Sequence, residues 1–213
     1  MIDAFVLLCT SYSEKIVDDR GFVIWKGIAP AITGQDRLTE LEVILDKIVK
    51  AFGLRNCPLL VQLIESDAGF SVIEFSARTG GCMKYRMIEK VSGFDVIKAT
   101  VDLFEGKIPA VNVNKQDRLV SDEFIYCNPG VFDRLSGVDE CIKNGWISEI
   151  YELKTSGSEV GCVKSSGDRV AALLIEAEDL NDYVIKHNNI ASVIKVIDNN
   201  GNDMMRHDCF PIL

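Results

Sequence analysis

The side chains best suited to chemistry lie in segment 59–81, where two apolar runs flank a short turn. Gln62 interrupts the first run and Glu74 interrupts the second, each at a position where an apolar residue is expected. Since side chains alternate between the two faces of a strand, Glu74 and Ser76 lie on one face. A three-residue hairpin loop at 67–69 would place Gln62 opposite Glu74. The segment therefore predicts a β-hairpin that gathers a carboxylate, an amide and a hydroxyl.

These grouped oxygens indicate a site for a hard cation and phosphate oxygens. Mg²⁺ prefers oxygen ligands and is usually held by one or two carboxylates together with substrate phosphates. The expected metal ligands are Gln62, Glu74 and Ser76. Arg78, two residues after Ser76, supplies a fork-shaped donor suited to a phosphate oxygen. Two plainer interpretations stay open, in which Glu74 lies on a solvated strand face or forms an ion pair with Arg78.

Lys26 and the pair Gly80–Gly81 are weaker signals for phosphate binding. Lys26 is the one charged residue of the predicted strand 21–29, so its side chain either extends along apolar surface to solvent or contacts a phosphate. Gly80–Gly81 precedes a predicted helix and can expose backbone N–H groups to an anion. The pair matches neither the dinucleotide-binding nor the P-loop glycine motif.

The histidines and cysteines show no recognisable catalytic pattern. His187 lies near the end of a predicted helix, where we expect a surface or capping role, and His207 lies in the C-terminal tail. The seven cysteines are scattered, odd in number and never spaced C-x-x-C, which favours a reducing cytosol over a disulfide framework or a zinc site. Cys82, directly after Gly80–Gly81, is the one cysteine whose thiolate a helix start would favour.

Composition and charge argue against two classes of partner. The 213 residues are 47% hydrophobic and 26% charged, which is ordinary for a globular protein. The net charge of −9 gives no support for the basic face that general nucleic-acid binding needs. No apolar run reaches the length of a membrane span, and the N-terminal run lacks the basic leader of a signal peptide. We therefore expect a cytoplasmic protein without nucleic-acid or membrane partners.

Hydrophobic spacing predicts an α+β fold with antiparallel strands and with helices on one side. Besides the hairpin, the predicted strands lie at 2–9, 21–29, 123–128, 147–154, 170–176 and 192–197. The predicted helices lie at 38–52, 82–91, 95–105, 138–143 and 180–188. The first two strands can form a hairpin, with residues 11–20 as a polar connection. A polar stretch at 107–117 is interpreted as a linker that separates a first domain at 1–110 from a second at 118–213.

At the hairpin the sequence resembles a known family. Residues 72–81, VIEFSARTGG, resemble the metal-binding strand of ATP-grasp ligases, which reads hydrophobic-Glu-x-Asn-x-Arg-x-Gly-Gly. Val61–Gln62 is similar to the corresponding position in the large chain of carbamoyl-phosphate synthase, where a glutamine is the first metal ligand. Segment 85–109 is similar to the helices that follow in amino-acid ligases of this superfamily. The final segment, with Gly130–Val131, Lys154 and residues 168–180, is similar to their small C-terminal domain.

The resemblance implies an ATP-dependent carboxylate–amine ligase that forms an acyl phosphate, which an amine then attacks. It assigns Glu74 and Gln62 to hold Mg²⁺, or Mn²⁺ in its place, on the phosphates of ATP. It assigns Arg78 a catalytic role in steadying the transferred phosphoryl group. Ser76 stands where the family has asparagine, so it completes or weakens the metal site. The implied substrates are a small carboxylate and a small amine.

The resemblance also implies that the chain is the C-terminal half of such a ligase. The implied architecture is the C-terminal lobe of the ATP-grasp fold, an antiparallel sheet with helices, followed by a small α+β domain. The N-terminal lobe that binds the nucleotide is then missing and is expected in the same gene or in a separate chain. We expect the chain alone to be inactive. The alternatives are one subunit of a split ligase, or a non-catalytic binding or regulatory module that forms a homodimer.

Overall fold

The computed structural model describes residues 11–18, 21–31, 35–114 and 116–213. Its helices are α1 (Gln35–Phe52), α2 (Lys84–Ser92), α3 (Val96–Phe104), α4 (Val138–Lys143) and α5 (Leu180–Val193). Its strands are β1 (Tyr12–Asp18), β2 (Gly21–Ala29), β3 (Leu60–Ser66), β4 (Gly69–Ser76), β5 (Leu119–Ile125), β6 (Gly130–Ser136), β7 (Glu149–Glu152), β8 (Glu159–Val160), β9 (Ala171–Ala177) and β10 (Lys195–Asp198). Among these residues, none of the helices is both long and apolar enough to span a membrane.

The described residues divide into two compact units. The first unit lies within Ala31–Gln116, and the second combines Ser11–Pro30 with Asp117–Leu213. Ser11–Pro30 joins the second unit because β2 pairs with β5 in an antiparallel ladder. These residues therefore pack with the second unit, whereas the sequence prediction included them in a first domain at 1–110.

The first unit contains α1, α2, α3 and the two-stranded hairpin β3–β4. α1 is amphipathic, with Leu41 and Leu45 buried one helical turn apart, and it is followed by Gly53 in the left-handed conformation at φ +61°. The Asp95 side chain caps α3 by accepting a hydrogen bond from the Lys98 N–H at 2.8 Å. α1 packs against β4, so the helix supports the hairpin that carries the predicted site.

The second unit is built on a five-stranded antiparallel sheet in the order β1-β2-β5-β9-β7. Its inner strands β5 and β9 are almost fully buried, and α5 packs on β9. β10, β6 and β8 form a second, three-stranded antiparallel sheet. Antiparallel sheets combined with helices confirm the predicted α+β class.

Most predicted elements are present, and two coincide with the structure, namely the strand Gly21–Ala29 and the helix Val138–Lys143. The polar connection predicted at 11–20 is wrong, since it contains the strand Tyr12–Asp18. This strand lies at the edge of its sheet, where polar residues are common, so its sequence YSEKIVD reads as a connection. The strand β6 was not predicted at all. The predicted strand at 2–9 lies outside the described residues.

Candidate functional site

The β3–β4 hairpin places Gln62 directly opposite Glu74, which confirms the predicted register. The predicted three-residue loop is wrong, because Ser66 pairs with Gly69 and leaves a two-residue turn. A β-bulge restores the register, since Ile73 is left unpaired just before Glu74. The predicted pairing of Gln62 with Glu74 is therefore right, although the predicted loop that led to it is wrong.

Helix α1 holds the tip of this hairpin. The Glu40 carboxylate accepts a hydrogen bond from the Phe70 N–H at 3.2 Å. Arg37 donates to Glu40 at 3.1 Å and to the Ser66 carbonyl at 2.9 Å. Gly69 adopts φ +119°, and a Cβ there would lie 2.5 Å from the Glu40 carboxylate. The turn therefore requires glycine both for its backbone conformation and for the close approach of α1.

Gln62, Glu74 and Ser76 present three oxygen-bearing groups on adjacent positions of the hairpin. Glu74 is exposed, whereas Gln62 and Ser76 are half-buried. Glu74 and Ser76 share a face because the bulge precedes both residues. Directly opposed residues have Cβ atoms about 4.5–5.5 Å apart. The carboxylate of Glu74 and the amide oxygen of Gln62 can therefore bind the same ion.

Arg78 follows the end of β4 and is exposed. The guanidinium of Arg78 donates a hydrogen bond to the Thr79 carbonyl at 2.8 Å. The backbone N–H of Arg78 donates one to the Ser76 carbonyl at 2.8 Å. In the described part of the chain, no ion pair joins Arg78 to Glu74. The Glu74 carboxylate thus stays accessible to an external cation, and most donors of the guanidinium stay accessible to an anion.

The donor set decides which metal the hairpin suits. No cluster of three or more His, Cys, Asp or Glu side chains with metal-binding geometry occurs among the described residues. An ion at the hairpin would therefore rely on one carboxylate, neutral oxygens and the oxygens of a bound phosphate. This all-oxygen set fits Mg²⁺ or Mn²⁺ bound with a nucleotide better than it fits zinc.

The glycines after the hairpin have different surroundings. A Cβ on Gly80 would lie 2.8 Å from the Lys84 Cβ, so close packing against α2 requires glycine at this position. A Cβ on Gly81 would meet no atom within 4 Å. Cys82 is exposed in the left-handed conformation at φ +55° and precedes the first residue of α2 by two positions. The helix predicted to start at Cys82 therefore starts later.

Lys26 lies on β2 in the second unit. Its ammonium is buried, forms an ion pair with Glu14 at 3.2 Å and lies 4.5 Å from the ring centroid of Trp25. The expected extension of Lys26 to solvent is wrong. Its expected contact with a phosphate stays a prediction.

His187 is fully buried, so the expected surface or capping role is wrong. Its Nδ1 lies 2.8 Å from the carboxylate of Glu123, which is also fully buried. Tyr183 and Ser121 donate hydroxyl hydrogen bonds to the same carboxylate at 2.7 and 3.1 Å. The sequence held a signal for this cluster, because Ser121, Asp122 and Glu123 are consecutive polar residues with apolar residues on both sides, and a buried charge is costly without partners.

Two buried cysteines are unsuited to nucleophilic chemistry. Burial raises the pKa of the Cys127 and Cys141 thiols to about 11 in each case. At neutral pH both residues are therefore thiols, which agrees with the structural role expected for cysteines in apolar surroundings.

Solved structures show which class of protein shares this fold. The phosphoribosylglycinamide synthetase of Anaerococcus prevotii matches with a TM-score of 0.78 and 21% identity, over 89% of this chain and 49% of that enzyme. The L-amino acid ligase of Bacillus licheniformis matches with a TM-score of 0.74 and 15% identity, over 83% of this chain and 44% of that enzyme. A biotin carboxylase of Campylobacter jejuni matches with a TM-score of 0.65 and 16% identity, over 88% of this chain and 41% of that enzyme.

The chain therefore has the fold of ATP-grasp ligases, as the sequence resemblance predicted. It spans about half the length of the solved enzymes that it matches. No protein-family model matches the sequence, and no curated protein matches it either.

Proposed function

We propose that this chain forms the metal- and phosphate-binding part of an ATP-dependent carboxylate–amine ligase of the ATP-grasp type. The observation that carries the proposal is the register that sets Gln62 opposite Glu74 in a chain with this fold. Arg78 follows Glu74 at the spacing of the metal-binding strand that the sequence resembles. Within the described ranges, no ion pair joins the exposed guanidinium of Arg78 to the exposed carboxylate of Glu74, so both groups are accessible to a ligand.

Each side chain has a role in this proposal. Gln62 and Glu74 hold Mg²⁺ or Mn²⁺, and the Ser76 hydroxyl reaches less far than an asparagine amide would. When bound, the ion neutralises charge on the β- and γ-phosphates of ATP. Arg78 donates hydrogen bonds to the phosphoryl group as it passes to the substrate carboxylate. An amine then attacks the carbonyl carbon of the acyl phosphate, and inorganic phosphate leaves.

We further propose that another polypeptide segment, in the same gene or in a separate chain, supplies the rest of the nucleotide cleft. The coverage of the matched enzymes supports this, because this chain accounts for 49% of the phosphoribosylglycinamide synthetase. The chain alone should then bind Mg-ATP no more tightly than about 1 mM, since an open half-cleft buries little of the ligand. The expected cytoplasmic location belongs to the same proposal.

Titration of Mn–ATP with protein, followed by the EPR signal of Mn²⁺, tests the proposed metal site. Glu74→Gln should weaken binding at least about tenfold, because a charged ligand becomes a neutral amide. Glu42→Gln changes an exposed glutamate on α1 and serves as the matched control, which should bind as the wild type does. Measurable binding of equal strength by the wild type and Glu74→Gln would contradict the proposed site.

A second candidate is a non-catalytic binding or regulatory module that forms a homodimer. It is favoured by Ser76 in place of asparagine and by apolar side chains of the first unit that are exposed, such as Phe104 at 90% and Ile108 at 80%. Sedimentation equilibrium of the chain, together with the EPR titration of Mn–ATP, distinguishes the candidates. A stable dimer that shows no binding of Mn–ATP supports the module, and a monomer that binds Mn–ATP supports the ligase.

A further inference from the structure

The C-terminal segment 210–213 is fastened to two consecutive residues of α5. The Asn188 side chain accepts a hydrogen bond from the Leu213 N–H at 2.8 Å and donates one to the Leu213 oxygen at 3.1 Å. The Nε2 atom of His187 lies 2.8 Å from the Pro211 carbonyl oxygen. One amide and one imidazole thus bind the backbone of the segment in the second unit.

The partners of His187 fix how many protons it carries. The Pro211 carbonyl can only accept, so Nε2 carries a hydrogen. Nδ1 faces a carboxylate oxygen of Glu123 at 2.8 Å, so one further proton lies between these two atoms. The other carboxylate oxygen accepts from the hydroxyls of Tyr183 and Ser121, so a donor faces each oxygen of this carboxylate.

Charged and titratable groups from several elements face this buried pair. Glu123 on β5 contacts His187 directly. Lys26 on β2 is the cross-strand partner of Glu123, and its own charge is paired with Glu14 on β1 at 3.2 Å. Burial first, and then the charge of Glu123, raise the pKa of Tyr183, so its phenol remains a neutral donor.

The balance of these effects favours the charged imidazole. Burial lowers the pKa of His187, but the hydrogen bond and charge of Glu123, with the Pro211 carbonyl, outweigh burial. The charge of Lys26 also lowers this pKa, and the net shift is upward from the ordinary value of 6.5. Phe210 stacks on the ring with 4.7 Å between centroids, so the segment itself helps to enclose the proton.

We infer that the proton shared by His187 and Glu123 locks segment 210–213 onto α5 and that loss of this proton as the pH rises releases the segment. A neutral imidazole has one N–H but faces two acceptors here, so one of its two hydrogen bonds is lost. Either the Pro211 carbonyl loses its donor, or two lone pairs face each other at Glu123. Since the pKa is raised on folding, the lock is fully present below 6.5 and is lost as pH rises through the folded-state value.

¹⁵N NMR of the imidazole rings tests the inference on the wild-type chain. The sequence contains two histidines, so the spectrum of His207→Gln assigns both rings. The His187 midpoint should lie at higher pH in the native protein than in urea. Protection of the Leu213 amide, corrected for intrinsic exchange, should fall across the same native midpoint.

Two variants complete the test. His187→Gln should remove the pH dependence of Leu213 protection, while His207→Gln, which changes an exposed side chain, should preserve it. If His187→Gln does not fold, the wild-type titration decides. A native midpoint at or below the denatured one overturns the inference, as does Leu213 protection that stays constant across the His187 titration.

Discussion

Glu74 and Glu123 both lie on β-strands, yet the two carboxylates occupy opposite surroundings. Glu74 is exposed on a two-stranded hairpin, and no ion pair joins it to Arg78 within the described residues. Glu123 is fully buried on an inner strand and receives hydrogen bonds from Tyr183, Ser121 and His187. The carboxylate of Glu74 can therefore still coordinate an external ion, whereas both oxygens of Glu123 are occupied by hydrogen bonds within the fold.

This difference separates two roles that a charged residue can have in a strand. Burying a carboxylate is costly unless it has partners inside the protein, so a buried carboxylate indicates how the core is arranged around it. An exposed carboxylate has no such structural requirement, so Glu74 fits a solvated strand face and is also accessible to the ion proposed above. The internal partners of a side chain, more than its type, therefore indicate whether it can contact an external ligand.

The largest effect should come from Glu123→Gln. The change leaves the buried His187 without a counter-charge, and breaking a buried pair in this way costs about 3–5 kcal/mol. Urea denaturation of the variant measures the loss. Glu74→Gln is the matched control, because surface substitutions usually change stability by less than about 0.5 kcal/mol. Equal losses of unfolding free energy in Glu123→Gln and Glu74→Gln would contradict the different roles assigned to the two carboxylates.

Gly69→Ala should destabilise the hairpin by about 1–3 kcal/mol, because alanine at φ +119° is strained and its Cβ would meet Glu40. Gly81→Ala is the control on the same segment, since nothing lies within 4 Å of the added methyl group. Thermal melting followed by circular dichroism compares them. If Gly69→Ala left the melting temperature unchanged, α1 would not hold the tip of the hairpin as described.

Arg78→Lys should weaken binding of Mn–ATP about tenfold, because lysine loses the planar fork that matches phosphate oxygens. Free Mn²⁺ without nucleotide should bind the variant and the wild type alike. EPR titrations with and without ATP measure both quantities. Weakened binding of free Mn²⁺ would instead place Arg78 in the support of the metal ligands.

The smallest effect is expected for Ser76→Asn, which restores the asparagine of the ATP-grasp pattern. The amide carbonyl reaches further than the hydroxyl, so affinity for Mn–ATP should rise a few-fold, less than about 1 kcal/mol. The same EPR titration detects the gain. A loss of affinity would show that Ser76 already occupies a ligand position that the longer side chain disturbs.

The correct sequence predictions rest on local patterns, and the wrong ones concern residues whose surroundings depend on long-range contacts. The helix at 138–143 and the pairing of Gln62 with Glu74 follow from residues close in sequence. The pair between His187 and Glu123 joins residues 64 positions apart, so helix position alone suggested a surface histidine. The bulge at Ile73 left no recognisable signal, because bulges depend on how the strand bends against its neighbours.

Paramagnetic line broadening by Mn–ATP in a ¹⁵N-labelled wild-type chain is the sharpest test of the proposed metal site, because it locates a weakly bound ion. We expect the amide signals of Gln62, Glu74 and Ser76 to broaden first, and we expect Glu74→Gln to abolish this broadening. Spectra recorded with Mg–ATP, which is diamagnetic, serve as the reference for both samples. Broadening that is equally strong in Glu74→Gln, or that is absent from the hairpin, would contradict the proposed site.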